Sequence, residues 1–179
     1  WDDKVRRSVI FDAKADILVY GMGETATEEI ARRLRDGEDL AGIPGTAVIR
    51  SEAPEGALTL PSYEACCADK RKYAEATATE YKEHDPIRGR KLVQQHGNRY
   101  LVVYPPAMPL STEELDAVAA LPYTREPHPM YAEQGGVPAI EEVRFSVIHN
   151  RGCFGGCAFC SLAFHQGRMV TSRSHESVI

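Results

Sequence analysis

The chain has 179 residues, 43% hydrophobic and 26% charged, which suits one ordinary globular domain or one domain plus part of another. A formal net charge of -5 argues against nucleic-acid binding as its main business, and the short basic clusters Lys4-Val5-Arg6-Arg7 and Arg88-Gly89-Arg90-Lys91 read as solvated faces. No run approaches the ~18 apolar residues that a membrane span requires.

In chain order, Asp16-Ile17-Leu18-Val19-Tyr20 is a short apolar run ended by Gly21, as in a buried strand. Thr25-Ala26-Thr27-Glu28 has the spacing of a capping box, and Ala26, Ile30, Ala31 and Leu34 follow at helical spacing up to Gly37. Thr46-Ala47-Val48-Ile49 is the next strand. Strand, helix and strand at this spacing predict a βαβ unit with a parallel pair, and hence an α/β layer. A long helix is expected from Pro61-Ser62 to about His84, where Asp85-Pro86 stops it. Its apolar stripe places Cys66 and Cys67 on a core face as inert buried thiols. Arg99-Tyr100-Leu101-Val102-Val103-Tyr104 reads as a further strand, and Ser111-Thr112-Glu113-Glu114 caps a short helix stopped by Pro122. Residues 123–138, rich in proline, histidine and glycine, read as a connection. Arg144-Phe145-Ser146-Val147-Ile148 restarts order as a strand that leads into a cysteine loop.

That loop is Cys153-Phe154-Gly155-Gly156-Cys157-Ala158-Phe159-Cys160. An iron–sulfur cube has four irons, usually held by thiolates. Three cysteines spaced by three and two residues can take three corners from one turn and leave the fourth iron open. Gly152, Gly155 and Gly156 let backbone N–H groups approach the sulfides. Structural zinc is the competing reading, with His165 as a fourth ligand. The cluster is favoured, because the spacing to His165 matches no common zinc module. An odd cysteine count grouped in this way fits a metal site in a reducing compartment, so the cytoplasm is expected. His149 and His165 flank the loop and read as hydrogen-bonding or capping groups.

Gly21-x-Gly23-x-x-Ala26 has the layout of a dinucleotide fingerprint, with Glu52 near the place of a ribose-binding acid. Glu24 in that loop opposes phosphate binding, and no Asp-x-His-x-x-Gly cobalamin motif is present. Scaffolding is therefore favoured for this half over nucleotide or corrinoid binding.

Cys-x3-Cys-x-aromatic-Cys after a strand resembles the signature of the radical S-adenosylmethionine (SAM) superfamily, with Phe159 as the aromatic. The surroundings resemble the YgiQ family of radical SAM proteins. The supporting stretches include Trp1-Asp2-Asp3-Lys4-Val5-Arg6-Arg7-Ser8, Asp85-Pro86-Ile87-Arg88-Gly89, Pro127-His128-Pro129, His149-Asn150-Arg151-Gly152-Cys153 and His165-Gln166-Gly167-Arg168. The resemblance implies that Cys153, Cys157 and Cys160 ligate three irons of a [4Fe-4S] cluster whose open iron chelates SAM. It implies that Phe159 packs near the adenine, while Arg168, Arg173 and Ser174 either line the mouth of the site or position the next helix. A reduced cluster would cleave SAM to methionine and a 5′-deoxyadenosyl radical that attacks an unassigned substrate, with an external electron donor as a further partner.

The expected fold is α/β. A Rossmann-like, cobalamin-binding-like partial domain over residues 1–110 is followed by a connecting segment over 111–143. Residues 144–179 would be the first strand and cluster loop of a radical SAM partial barrel. With Trp1 at one end and 19 residues after Cys160 at the other, the chain reads as a piece of a longer enzyme that is itself inactive on SAM. The runner-up is a non-enzymatic zinc or iron–sulfur module on the same loop.

Overall fold

The computed structural model describes residues 3–179; Trp1 and Asp2, which open the first of the family-like stretches, lie outside them. Its principal elements run in the order α1 (Val9–Ala13), β1 (Ile17–Val19), α2 (Glu24–Asp36), β2 (Thr46–Arg50), β3 (Leu58–Thr59), α3 (Tyr63–Ala68), α4 (Lys70–Glu83), β4 (Leu92–His96), β5 (Arg99–Val103) and α5 (Thr112–Ala119). A 3-10 helix (Pro129–Gln134), α6 (Ile140–Val143), β6 (Asn150–Arg151), α7 (Leu162–His165), β7 (Thr171–Ser172) and α8 (His175–Val178) complete the order.

Period-two alternation in β2 and β5 builds the core on both faces of one sheet. Ala47 and Leu101 face one way and pack with Ile10 and Phe11 of α1, and partly buried Leu18, Ile49 and Val103 extend the cluster. Val48 and Val102 face the other way and close on Val93. Val48 and Val102 are fully buried, each side chain contributing roughly 1.5–3 kcal/mol. The register Ala47↔Val103, Val48↔Val102 and Ile49↔Leu101 makes the two faces consistent across the strand pair.

The sheet order is β1-β2-β5-β4-β3. The α/β class holds, but the expected parallel βαβ unit does not: β1 and β2 pair antiparallel, as do β2 with β5 and β4 with β5, and only β3 with β4 is parallel. The reason lies in the segment between α2 and β2. The helix carries the chain about 20 Å away over its 13 residues. Residues 37–45 can span up to about 30 Å and return the chain to the end of β1, so Val19 sits opposite Thr46. Gly37, in the left-handed conformation (φ 70°), makes the reversal by donating its N–H to the carbonyls of Arg33 and Leu34.

Other expectations also change. The Thr25 capping box does not form, because α2 begins two residues earlier than that box requires, with Gly23 as N-cap and no side-chain cap bond. The single long helix is two. Asp69 turns extended (φ -139°, ψ 115°) and its carboxylate accepts the Arg71 N–H at 2.8 Å, capping α4. The break leaves Cys66 buried, as expected, but exposes Cys67. Residues 144–148 form no strand: Arg144 caps α6, and Phe145, Val147 and Ile148 are exposed. The expected connection over 123–138 contains the 3-10 helix.

The Ser111 capping box forms as expected. Ser111 Oγ accepts the Glu114 N–H at 3.2 Å, and Glu114 Oε2 accepts the Ser111 N–H at 2.7 Å. Ser111→Ala is expected to cost about 1 kcal/mol and to lower the melting temperature by about 2–4 °C in a scanning-calorimetry comparison.

His96 is buried between the rings of Phe11 (4.5 Å between centroids) and Tyr63 (5.1 Å). Burial, helped by the nearby Arg7 charge, holds its pKa below the ordinary histidine value against a weaker pull from Glu64. A depressed folded-state pKa favours the neutral ring. Its contribution to stability is therefore full above the unfolded value of about 6.5 and is lost as pH falls below it. His84, also lowered by burial, acts in the same direction. Urea melts at pH 7 and pH 5 are expected to show the loss, and His96→Phe, which keeps a stacked ring, is expected to reduce it.

Candidate metal centre

Strands β6 and β7 pair antiparallel in the register Asn150↔Ser172 and Arg151↔Thr171, so residues 152–170 form one loop on a short stem. Above the stem the Cys153 N–H donates to the Gly167 carbonyl at 3.0 Å, and the Gly152 N–H donates to Gln166 Oε1 at 3.1 Å. Gly152 has φ +90°, and a Cβ there would lie 2.0 Å from the Met169 carbonyl oxygen. The chain enters the cysteines through a crossing that only glycine fits. This two-residue β6, and not the expected strand over 144–148, leads into the loop.

All three thiols stand on the loop, Cys153 half-buried and Cys157 and Cys160 exposed. A Cβ on Gly155 would lie 3.2 Å from Cys153 Sγ and 3.8 Å from Cys157 Sγ, so these two sulfurs flank one glycine. Backbone N–H groups point at sulfur: Gly155 at Cys153 (3.4 Å) and Leu162 at Cys160 (3.5 Å). The donor chemistry fits an iron–sulfur cluster, with soft thiolates, N–H donors and a side-chain-free gap between two of the ligands. Among the described residues no three His, Cys, Asp or Glu side chains close on one point as a metal ion requires. The Cys3His set of the zinc reading is not assembled; His165 lies at the end of α7, with its carbonyl oxygen against Gly21.

The remaining expected site residues are distributed differently. Phe159 is 93% exposed. The Arg168 guanidinium lies over the Tyr81 ring of α4 at 4.5 Å and near Phe164 at 5.8 Å. Arg173 bonds to Ser177 Oγ (3.0 Å) and the Ile148 carbonyl (3.1 Å). Ser174 N-caps α8, its Oγ accepting the Ser177 N–H, while its own N–H donates to Asp116 Oδ1 at 3.0 Å; the Ser174 side chain and then this N–H hold the Asp116 carboxyl below the usual range. Arg173 and Ser174 thus position the last helix.

The apparent dinucleotide loop has another use. A Cβ on Gly21 would sit 3.4 Å from the His165 carbonyl oxygen and one on Gly23 3.0 Å from Val19 Cγ1, so chain packing employs both glycines. Glu24, at the start of α2, accepts from Arg151 Nη1 at 2.6 Å, placing a carboxylate where a phosphate would be needed. This pair joins residues 127 apart in sequence, beyond the reach of any local pattern. A cavity of about 170 Å³ lies at the same seam, lined by Tyr20, Met22, His84, Leu115, Phe164 and Arg168 among others. No helix among the described residues is long and apolar enough to cross a membrane.

The sequence profile described as Radical SAM N-terminal matches residues 1–146, most of the chain. The chain belongs to this radical SAM family. Its relatives include a UPF0313 protein of Clostridium perfringens, 50% identical over 185 residues, covering 100% of this chain and 28% of that protein. A UPF0313 protein of Clostridium botulinum is 46% identical over 184 residues, covering 100% of this chain and 29% of its own length. The UPF0313 proteins are the YgiQ-like radical SAM family, so the resemblance read from the motifs is borne out. The chain spans somewhat more than a quarter of the length of these relatives. No solved structure matches it.

Proposed function

We propose that this chain contributes the cluster loop of a radical SAM enzyme, with Cys153, Cys157 and Cys160 as ligands to three irons of a [4Fe-4S] cluster. One observation carries the reading: in a radical SAM family chain, a loop closed by β6 and β7 bears three thiols in eight residues, two of them flanking a glycine gap. When bound and reduced, such a cluster supplies the electron that cleaves SAM to methionine and a 5′-deoxyadenosyl radical. The protein's own part is to fix the stem, offer N–H groups to sulfur, and keep the thiol-bearing arc accessible. An exposed Phe159 beside Cys160 is available to cover an adenine ring, and its backbone to hydrogen-bond it. Arg168, Arg173 and Ser174 act behind the loop as positioning groups.

Anaerobic reconstitution with iron and sulfide tests the reading. The expected product holds about four irons per chain and gives, after reduction, an electron paramagnetic resonance signal that changes when SAM is added. Stoichiometric zinc in preference to iron, or a signal indifferent to SAM, overturns it.

A further inference from the structure

Both flanks of the cysteine arc are attached to the N-terminal domain, and the arc itself is not. On the entering side, Arg151 pairs with Glu24 of α2 across a partly buried contact of 2.6 Å. On the leaving side, Phe164 meets Tyr81 edge-on at 5.4 Å and His84 at 5.4 Å, and Arg168 stacks on Tyr81. The His165 backbone rests against Gly21. Beyond the stem, Asp116 of α5 takes the Ser174 N–H. Between these anchors the chain is open: Phe154 is 87% exposed, Phe159 is 93% exposed, and Cys157 and Cys160 face solvent.

We infer that the N-terminal domain serves as a clamp for the cysteine loop, Glu24–Arg151 on one flank and the Tyr81/His84–Phe164–Arg168 stack on the other fixing the stem before any cluster is bound. The inference rests on the proposed cluster only for its purpose, since the clamp is a property of the metal-free chain. Its physical basis is the weakness of the stem alone. Two strands of two residues each cannot order a loop of this length, because an isolated ribbon gains too little to offset its closure entropy. Anchors on both flanks confine the ends of the arc, while an unattached arc remains free to bring the three thiols together. Glu24 and Arg151 are positioning residues in this scheme, acting on Cys153 through the backbone of Gly152.

Hydrogen exchange on the metal-free chain tests the clamp. Glu24→Gln and Phe164→Ala are each expected to speed exchange of the amides of Cys153, Thr171 and Arg173 by about tenfold, with β2 and β5 unchanged. The exchange of charges, Glu24→Arg with Arg151→Glu, is expected to restore most of the protection lost in Glu24→Gln. Unaltered stem exchange in both single variants overturns the clamp, as does equal acceleration throughout β2 and β5. A second measurement ties it to the site: after anaerobic reconstitution, Glu24→Gln is expected to lose iron to a chelator several-fold faster than wild type. If the wild-type chain takes up no iron, the cluster reading fails while the exchange result still decides the clamp.

Discussion

Alanine at any one of Cys153, Cys157 or Cys160 is expected to drop reconstituted iron from about four per chain to below one, and to abolish the SAM-dependent change in the resonance spectrum. A cube already short of a fourth protein ligand has no thiolate in reserve, so each loss is severe. The nearest alternatives do not substitute. His165 joins no cluster of metal-ligating side chains among the described residues, and Cys66 and Cys67 sit on α3, far from the loop in sequence. The control is Cys67→Ser, at an exposed thiol outside the loop, which is expected to leave iron content and stability unchanged. Cys66 is less suitable, because it is buried against Gln94 and its thiol pKa is raised by that burial. Iron analysis and absorption spectra on the four variants check the prediction. Retention of full iron in any loop variant assigns the ligands elsewhere.

The contrast between loop and sheet also shows what the sequence could convey. The cysteine loop is legible because its chemistry is carried by three side chains within eight positions, a spacing that needs no long-range information. Ser111 with Glu114 is legible for the same reason, as a cap completed within one turn. Strand direction is not. Periodicity in Ile17–Val19 and Thr46–Arg50 reports which residues are apolar, whereas parallel or antiparallel pairing depends on where residues 37–45 carry the chain. The hairpin of β4 and β5 does carry a local signal: Gly97-Asn98 stands between Leu92–His96 and Arg99–Val103, the two-residue spacing of a tight turn. The polar residues Gln94 and Gln95 mask the first of its strands. Arg144–Ile148 fails in the opposite way. It has strand-like composition but finds no partner strand, so its apolar side chains remain exposed. Glu24 and Arg151 form a contact that only the assembled fold creates.

Gly152→Ala is the substitution with the largest expected effect on the loop without touching a thiol. The new Cβ would lie 2.0 Å from the Met169 carbonyl oxygen, 2.8 Å from its carbon and 3.2 Å from Val170 Cα, and all three are backbone atoms that no rotamer change can remove. The positive φ adds about 1–2 kcal/mol for any residue with a side chain. Together these exceed what the Arg151↔Thr171 and Asn150↔Ser172 pairs can hold, so β6 and β7 separate. Neither Met169 nor Val170, the neighbours at the crossing, belongs to the sheet core, whose cooperative unfolding is expected to remain within about 0.5 kcal/mol of wild type. The signature is therefore local: stem amides lose their exchange protection, the Cys153 N–H no longer finds Gly167, and reconstituted iron falls although every ligand is present. Gly156→Ala supplies the comparison, since a Cβ there meets nothing within 4 Å and its φ is ordinary. That variant is expected to keep the stem and its exchange protection. If Gly152→Ala behaves as Gly156→Ala does, the loop geometry does not depend on this crossing, and the path from stem to thiol lies elsewhere.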